Sequence, residues 1–274
     1  MRPACFTLII AFVVAASVAA QQTQPPTKPF EPVVGQAGKD VVWVPTPPEL
    51  VEKMLDMAEV TPKDLVMDLG SGDGRNIIGA AKRGARAIGV EYNPDMVALS
   101  QRLAREAGVG DKATFVQGDM YTADISKATV LALFLLPDNL TKLRDKFLQL
   151  KPGTRLVMNT FAIPEWDADV TETISGTCVS WCTSLLYFVP AQVAGTWKLP
   201  QGQLTLTQTF QKVTGTLTAG GSTSTIANGR LKGDQLTFTV DGTEYSGRVA
   251  ADRIDGVQVT GGSKRSWTAS RATN

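Results

Sequence analysis

Hydrophobic and polar positions change their period several times along this chain. Residues 4–14 are a short apolar run behind Arg2, and the small residues 15–20 follow. That order fits a secretory signal peptide cleaved near Ala20. The run is short for a membrane span, and no other stretch reaches spanning length. Residues 21–40 carry Pro25, Pro26, Pro29 and Pro32 and have no apolar period. They read as an extended, mostly disordered linker. Leu50, Val51, Met54, Leu55 and Ala58 then recur at helical spacing. Thr46 is placed to cap that helix, with prolines in its first turn and Glu49 completing a capping box.

From residue 65 to residue 159 short apolar runs alternate with helical stripes. Runs at 65–69, 87–91, 113–120, 129–136 and 155–159 predict strands. Residues 76–83, 94–107 and 140–150 predict helices. The run at 129–136 is apolar throughout, as in a central strand buried on both faces. A turn at Pro137, Asp138 and Asn139 follows it, with Asp138 or Asn139 as a helix cap. Alternation of this kind predicts a doubly wound α/β sheet over residues 41–190.

Composition shifts from Cys178 onward, and residues 191–274 are rich in Thr, Gly and Val. Period-two runs start near residues 195, 203, 213, 224, 235, 244, 254 and 266, separated by glycine turns. They predict a small all-β domain, an up-and-down meander closed as a barrel or sandwich. A weak Gly-x-Leu/Val repeat runs through it at Gly215, Gly229, Gly247 and Gly256. No catalytic constellation stands out there, so an accessory role is expected.

Of the 274 residues, 43% are hydrophobic, enough for two modest cores. A formal charge of +1 gives no electrostatic argument for a nucleic-acid partner. The chain has no histidine. That removes the commonest general base, the Ser-His-Asp triad and histidine-held metals, and no metal site is expected. Cys178 and Cys182 remain after loss of Cys5, and in an exported protein they can pair if their segment is not straight.

Three carboxylates fall at strand ends. Asp68 precedes a loop reading Gly70-Ser71-Gly72-Asp73-Gly74, Glu91 ends the second strand, and Asp119 follows the third. Ligands of open α/β sheets bind along that edge. The glycines are spaced G-x-G-x-G, not G-x-G-x-x-G, and Asp68 and Asp73 would repel a pyrophosphate. They suit a ligand carrying positive charge.

The loop resembles motif I of the class I, seven-stranded S-adenosylmethionine-dependent methyltransferases. Val44-Pro45-Thr46-Pro47, Gly118-Asp119, Leu135-Leu136-Pro137 and Leu150-Lys151-Pro152-Gly153-Thr154-Arg155 occur in order with it. Together they look like the small protein-lysine methyltransferases of mitochondria and prokaryotes. The resemblance covers residues 41–166, about half of the chain. It implies S-adenosylmethionine as cofactor, held by Asp68, Gly70, Ser71, Gly72, Asp73, Gly74, Glu91, Tyr92, Asp119 and Met120. It implies an acceptor site bordered by Thr46, Pro47, Leu135, Leu136, Pro137 and Asn139, and methyl transfer to nitrogen, of protein-lysine type. The alternatives are an exported binding protein on a catalytically retired scaffold and a small-molecule methyltransferase.

Overall fold

The computed structural model describes residues 29–176, 178–200 and 202–272. The expected signal segment and the first part of the expected linker lie outside them. Five strands run parallel: β1 (Leu65–Leu69), β2 (Arg86–Glu91), β3 (Ala113–Gln117), β4 (Val130–Leu133) and β5 (Arg155–Asn159). β6 (Val170–Thr173) and β7 (Thr183–Phe188) complete the sheet, with β7 antiparallel to both β5 and β6. The order β3-β2-β1-β4-β5-β7-β6 reverses direction between β1 and β4. A crevice opens there at the carboxyl ends of the strands.

The strands are covered on both faces, which is why their sequences are apolar runs. One face packs α1 (Pro48–Met57), α2 (Arg75–Lys82) and α3 (Pro94–Glu106). The other packs α4 (Pro137–Leu148) through Leu140, Leu143 and Phe147. The second core continues to Trp166 and Tyr187, both fully buried.

Several local expectations need correction. Thr46 does not cap α1; Pro47 is the N-cap and no side chain caps it. The Thr46 hydroxyl instead accepts a hydrogen bond from Asn159. Neither Asp138 nor Asn139 caps α4, because Pro137 opens the helix and moves the cap to Leu136. The expected linker is not structureless throughout. Hydrogen bonds from Gly35 to Trp43, from Trp43 to Gln36 and from Gly38 to Val41 fold residues 35–43 into a strap. β6 and β7 carry no period-two signal: β6 is exposed at every position and β7 is buried at its four central ones.

The second lobe is a closed barrel. Its strands are β8 (Gly195–Leu199), β9 (Gly202–Thr209), β10 (Lys212–Ala219), β11 (Ser222–Thr225), β12 (Ala227–Lys232), β13 (Gln235–Val240), β14 (Thr243–Ala250), β15 (Arg253–Thr260) and β16 (Ser263–Arg271). β11 and β12 follow one another along the same edge of β10, so the ring counts eight staves. Each stave is antiparallel to the next, and β16 closes on β8. Closure removes the open edges of a flat meander, apart from that of β11, which among the described residues pairs with β10 alone. The interior is filled by side chains such as Trp197, Leu204, Leu231, Leu236 and Ile254. Two glycines of the weak repeat, Gly247 and Gly256, face each other across β14 and β15. A Cβ at Gly256 would come within 2.6 Å of the Trp267 indole nitrogen, so the pair makes room for that ring.

Trp166 and Phe210 join the lobes by stacking at 5.4 Å between centroids. Buried Gln211 donates to the Asp167 carbonyl at 2.6 Å, and Arg230 pairs with Asp169 at 2.7 Å.

Candidate active site

The cavity lies where β1, β2 and β4 deliver their last residues, under the strap. Of the residues expected to hold cofactor, Asp68, Gly70, Ser71, Gly72, Asp73, Glu91, Tyr92, Asp119 and Met120 line it, and Gly74 does not. Of those expected around the acceptor, Thr46 and Leu135 line it. Pro47, Leu136, Pro137 and Asn139 are not among the lining residues. Leu136 is exposed at the start of α4, and Asn139 turns its amide to the Tyr121 hydroxyl at 2.8 Å.

Sequence reading missed two contributions. Lys39 comes from the part of the strap before Val41, and Phe134 leaves β4 one residue before Leu135. The isolated bridge between Ala37 and Val42 is too short to give a periodic signal.

Each carboxylate has a different setting. Asp68 is buried; one oxygen accepts from the Asn76 amide at 3.0 Å and the other has no partner. Burial, reinforced by the nearby negative charge of Glu91 and Asp73, pushes its carboxyl up to about 8. Asp73 lines the cavity and pairs with Arg75 at 2.5 Å, and Arg75 also reaches the Thr46 carbonyl at 2.6 Å, which links the glycine loop to the segment before α1. Glu91 accepts from the main-chain N–H groups of Gly72 and Asn93, each at 2.9 Å, which fixes it beside the loop. Asp119 pairs with Lys39 at 2.5 Å, and that hydrogen bond holds its carboxyl below the ordinary value.

The residues fit a cationic, nucleoside-like cofactor. Gly72 has φ +55, and a Cβ there would meet the Trp43 indole at 2.7 Å, so only glycine admits the strap so near. Buried oxygens of Asp68 and Ser71 in the lining lack partners, the state of groups awaiting a ligand. Among the described residues there is no cluster of metal-ligating side chains.

A strand-end cavity of this kind, on a sheet ordered 3-2-1-4-5-7-6, defines a class I S-adenosylmethionine-dependent methyltransferase. Residues 68–170 match the model of the ANTKMT methyltransferase domain. A protein-lysine N-methyltransferase of Saccharolobus islandicus is 42% identical over 46% of this chain and 81% of its own length. By that measure the chain belongs to this methyltransferase family, and it is an enzyme with S-adenosylmethionine as cofactor. The adenine nucleotide translocase lysine N-methyltransferase of Mus musculus is 35% identical over 42% of this chain. There the chain spans about half of the relative, 51%. Among solved structures, a Salinibacter ruber protein described as an RNA methyltransferase, in complex with S-adenosyl-L-homocysteine, is 43% identical. It covers 55% of this chain and 96% of its own, with a TM-score of 0.51. The family-model match ends before the barrel begins.

Proposed function

We propose that this enzyme methylates the side-chain amine of a protein lysine, and that it does so as an exported protein. Identity of 42% to a lysine N-methyltransferase across the cavity-bearing lobe carries the proposal. The site is consistent with it. When bound, S-adenosylmethionine supplies a methyl carbon already activated by a positively charged sulfur. The chain need not form a covalent intermediate, and the absence of histidine is no obstacle. Its tasks are to hold the donor, exclude water and orient a neutral amine for in-line attack. Asp68 provides a buried carboxyl that ionises to meet a cationic ligand, and the Thr46–Asn159 hydrogen bond ties the segment before α1 to the end of β5. A desolvated wall also lowers the proton affinity of an incoming amine.

Export rests on the N-terminal pattern, and the Cys178–Cys182 disulfide supports it. No helix among the described residues is long and apolar enough to cross a membrane. An RNA acceptor is the second reading, favoured by the Salinibacter ruber relative. The near-neutral charge gives it no electrostatic help.

Radiolabelled S-adenosylmethionine should transfer methyl to protein in a periplasmic or membrane extract, with methyl-lysine in the hydrolysate. Asp68→Ala should abolish both cofactor binding and labelling. Label that is removed by ribonuclease, or no binding at millimolar cofactor, would overturn the proposal.

A further inference from the structure

Three aromatic residues from distant parts of the chain meet beside the cavity. Phe134 lines it, Phe161 follows β5, and Trp181 lies inside the loop closed by the Cys178–Cys182 disulfide. Their ring centroids are 6.0 Å apart for Phe134 and Phe161, and 5.6 Å for each of these with Trp181. Phe134 and Phe161 are half-buried and Trp181 is 38% exposed. Trp181 has φ +60, a conformation uncommon for a bulky residue. Thr160, immediately before Phe161, has φ +58. A crosslink and two left-handed residues thus position rings that remain partly open to solvent, where strain often marks a binding surface.

We infer that Phe134, Phe161 and Trp181 form the acceptor subsite, and that it takes an alkylammonium group: a lysine side chain, including one already methylated. The inference rests on the methyltransferase reading above and adds to it the residues that choose the acceptor. Phe134 belongs to both the cluster and the cavity, so whatever sits on the rings borders the cavity. Ring faces attract a cation lying within about 6 Å of the centroid. The triangle of centroids is small enough for one cation to come within that reach of all three. An aromatic wall attracts the cation without a carboxylate that would fix a proton on the nitrogen. Larger methylated ammonium groups shed water more easily and should bind better, which suits repeated methylation. The bland alternative is that Trp181 only anchors the disulfide loop to the sheet.

The test separates charge from shape. N-acetyl-lysine methylamide, its mono-, di- and trimethyl forms and the neutral tert-butyl isostere of the last are titrated into the full chain by NMR. Each titration is run with and without S-adenosylhomocysteine. The trimethyl compound should bind about tenfold more tightly than its neutral isostere. Trp181→Ala and Phe161→Ala should each reduce that ratio to within about twofold, Trp181→Phe should keep most of it, and S-adenosylhomocysteine affinity should stay unchanged in all three. Equal binding of cation and isostere, or binding of uridine monophosphate that Trp181→Ala removes, would overturn the inference. Failure of S-adenosylhomocysteine to bind would sink the enzyme reading instead, while the charge ratio measured without it still decides the role of the rings.

Discussion

Trp197 and Trp267 in the barrel send their indole N–H groups to main-chain carbonyls, at 2.8 and 3.2 Å. Asp68, Ser71, Asn76, Asn139 and Asn159 in the sheet lobe each keep a buried oxygen with no partner. Among the described residues, every buried side-chain polar atom in that state precedes β8. Leaving a buried polar group unpaired costs about 1–3 kcal/mol. The barrel avoids that cost by filling its interior with apolar side chains. The sheet lobe accepts it, and two of its unpaired oxygens, on Asp68 and Ser71, line the cavity beyond β1, where a ligand can supply partners.

The largest effect expected from this contrast is in the barrel. Trp197 is fully buried and touches the core that all staves share. Trp197→Ala should destabilise the barrel by about 3–5 kcal/mol. Calorimetry with and without S-adenosylhomocysteine checks this: the ligand should raise the transition of the sheet lobe and leave the affinity of the variant for cofactor as in the parent. An equal loss of affinity would show that the lobes do not fold independently. Gly72→Ala probes the other side. Its Cβ would press on Trp43 in a left-handed backbone, so cofactor affinity should fall on the order of 100-fold. Barrel stability should not change, as read from near-ultraviolet signals of its tryptophans.

The same contrast explains what the sequence could disclose. Antiparallel staves with one dry face alternate visibly, and β13, at Gln235–Val240, is read from Leu236, Phe238 and Val240 alone. The glycine loop and the acids at β1 and β2 are legible because their chemistry sits next to their strands. The part of the strap before Val41 is not, since it is held by single main-chain hydrogen bonds. β7 is hidden for a different reason: it is buried at Ser184, Leu185, Leu186 and Tyr187 in succession, and its neighbour β6 is exposed throughout. The aromatic triangle is beyond sequence reasoning altogether, because Phe134, Phe161 and Trp181 become neighbours only through the pairing of β5 with β4 and β7.

Asp68 turns the unpaired oxygen into a pH effect. Its folded carboxyl sits at about 8, above the ordinary value of about 3.9. The folded chain therefore holds this proton more tightly than the unfolded chain does. Its contribution to stability is fully present below about pH 4 and is lost as pH rises towards 8. A cationic ligand favours the ionised form, so its entry draws the proton off. Cofactor affinity should rise by up to about tenfold per pH unit from pH 6 to 8, with proton release on binding. Calorimetric titration in buffers of different ionisation enthalpy measures that release. Asp68→Asn should remove the Asp68 part of both effects, and an unchanged proton count would show that another group titrates.

The smallest effect concerns Lys39. Its ammonium is 2.5 Å from Asp119 and lies 5.1 Å from the Tyr92 ring centroid and 6.0 Å from that of Tyr121. Asp119 is among the residues that the family resemblance assigns to the cofactor, so Lys39 occupies a position at that carboxylate that a donor group of the cofactor would take. The ion pair is partly exposed, and such pairs contribute little. Lys39→Met should free Asp119 and tighten S-adenosylhomocysteine binding by at most about fivefold, and the gain should shrink as salt is added. Weaker binding in the variant would mean the opposite arrangement, in which Lys39 closes the strap over a bound ligand instead of competing with it. Either result locates the strap on one side of the contrast: as a stand-in that the ligand displaces, or as the last partner that the sheet lobe lacks.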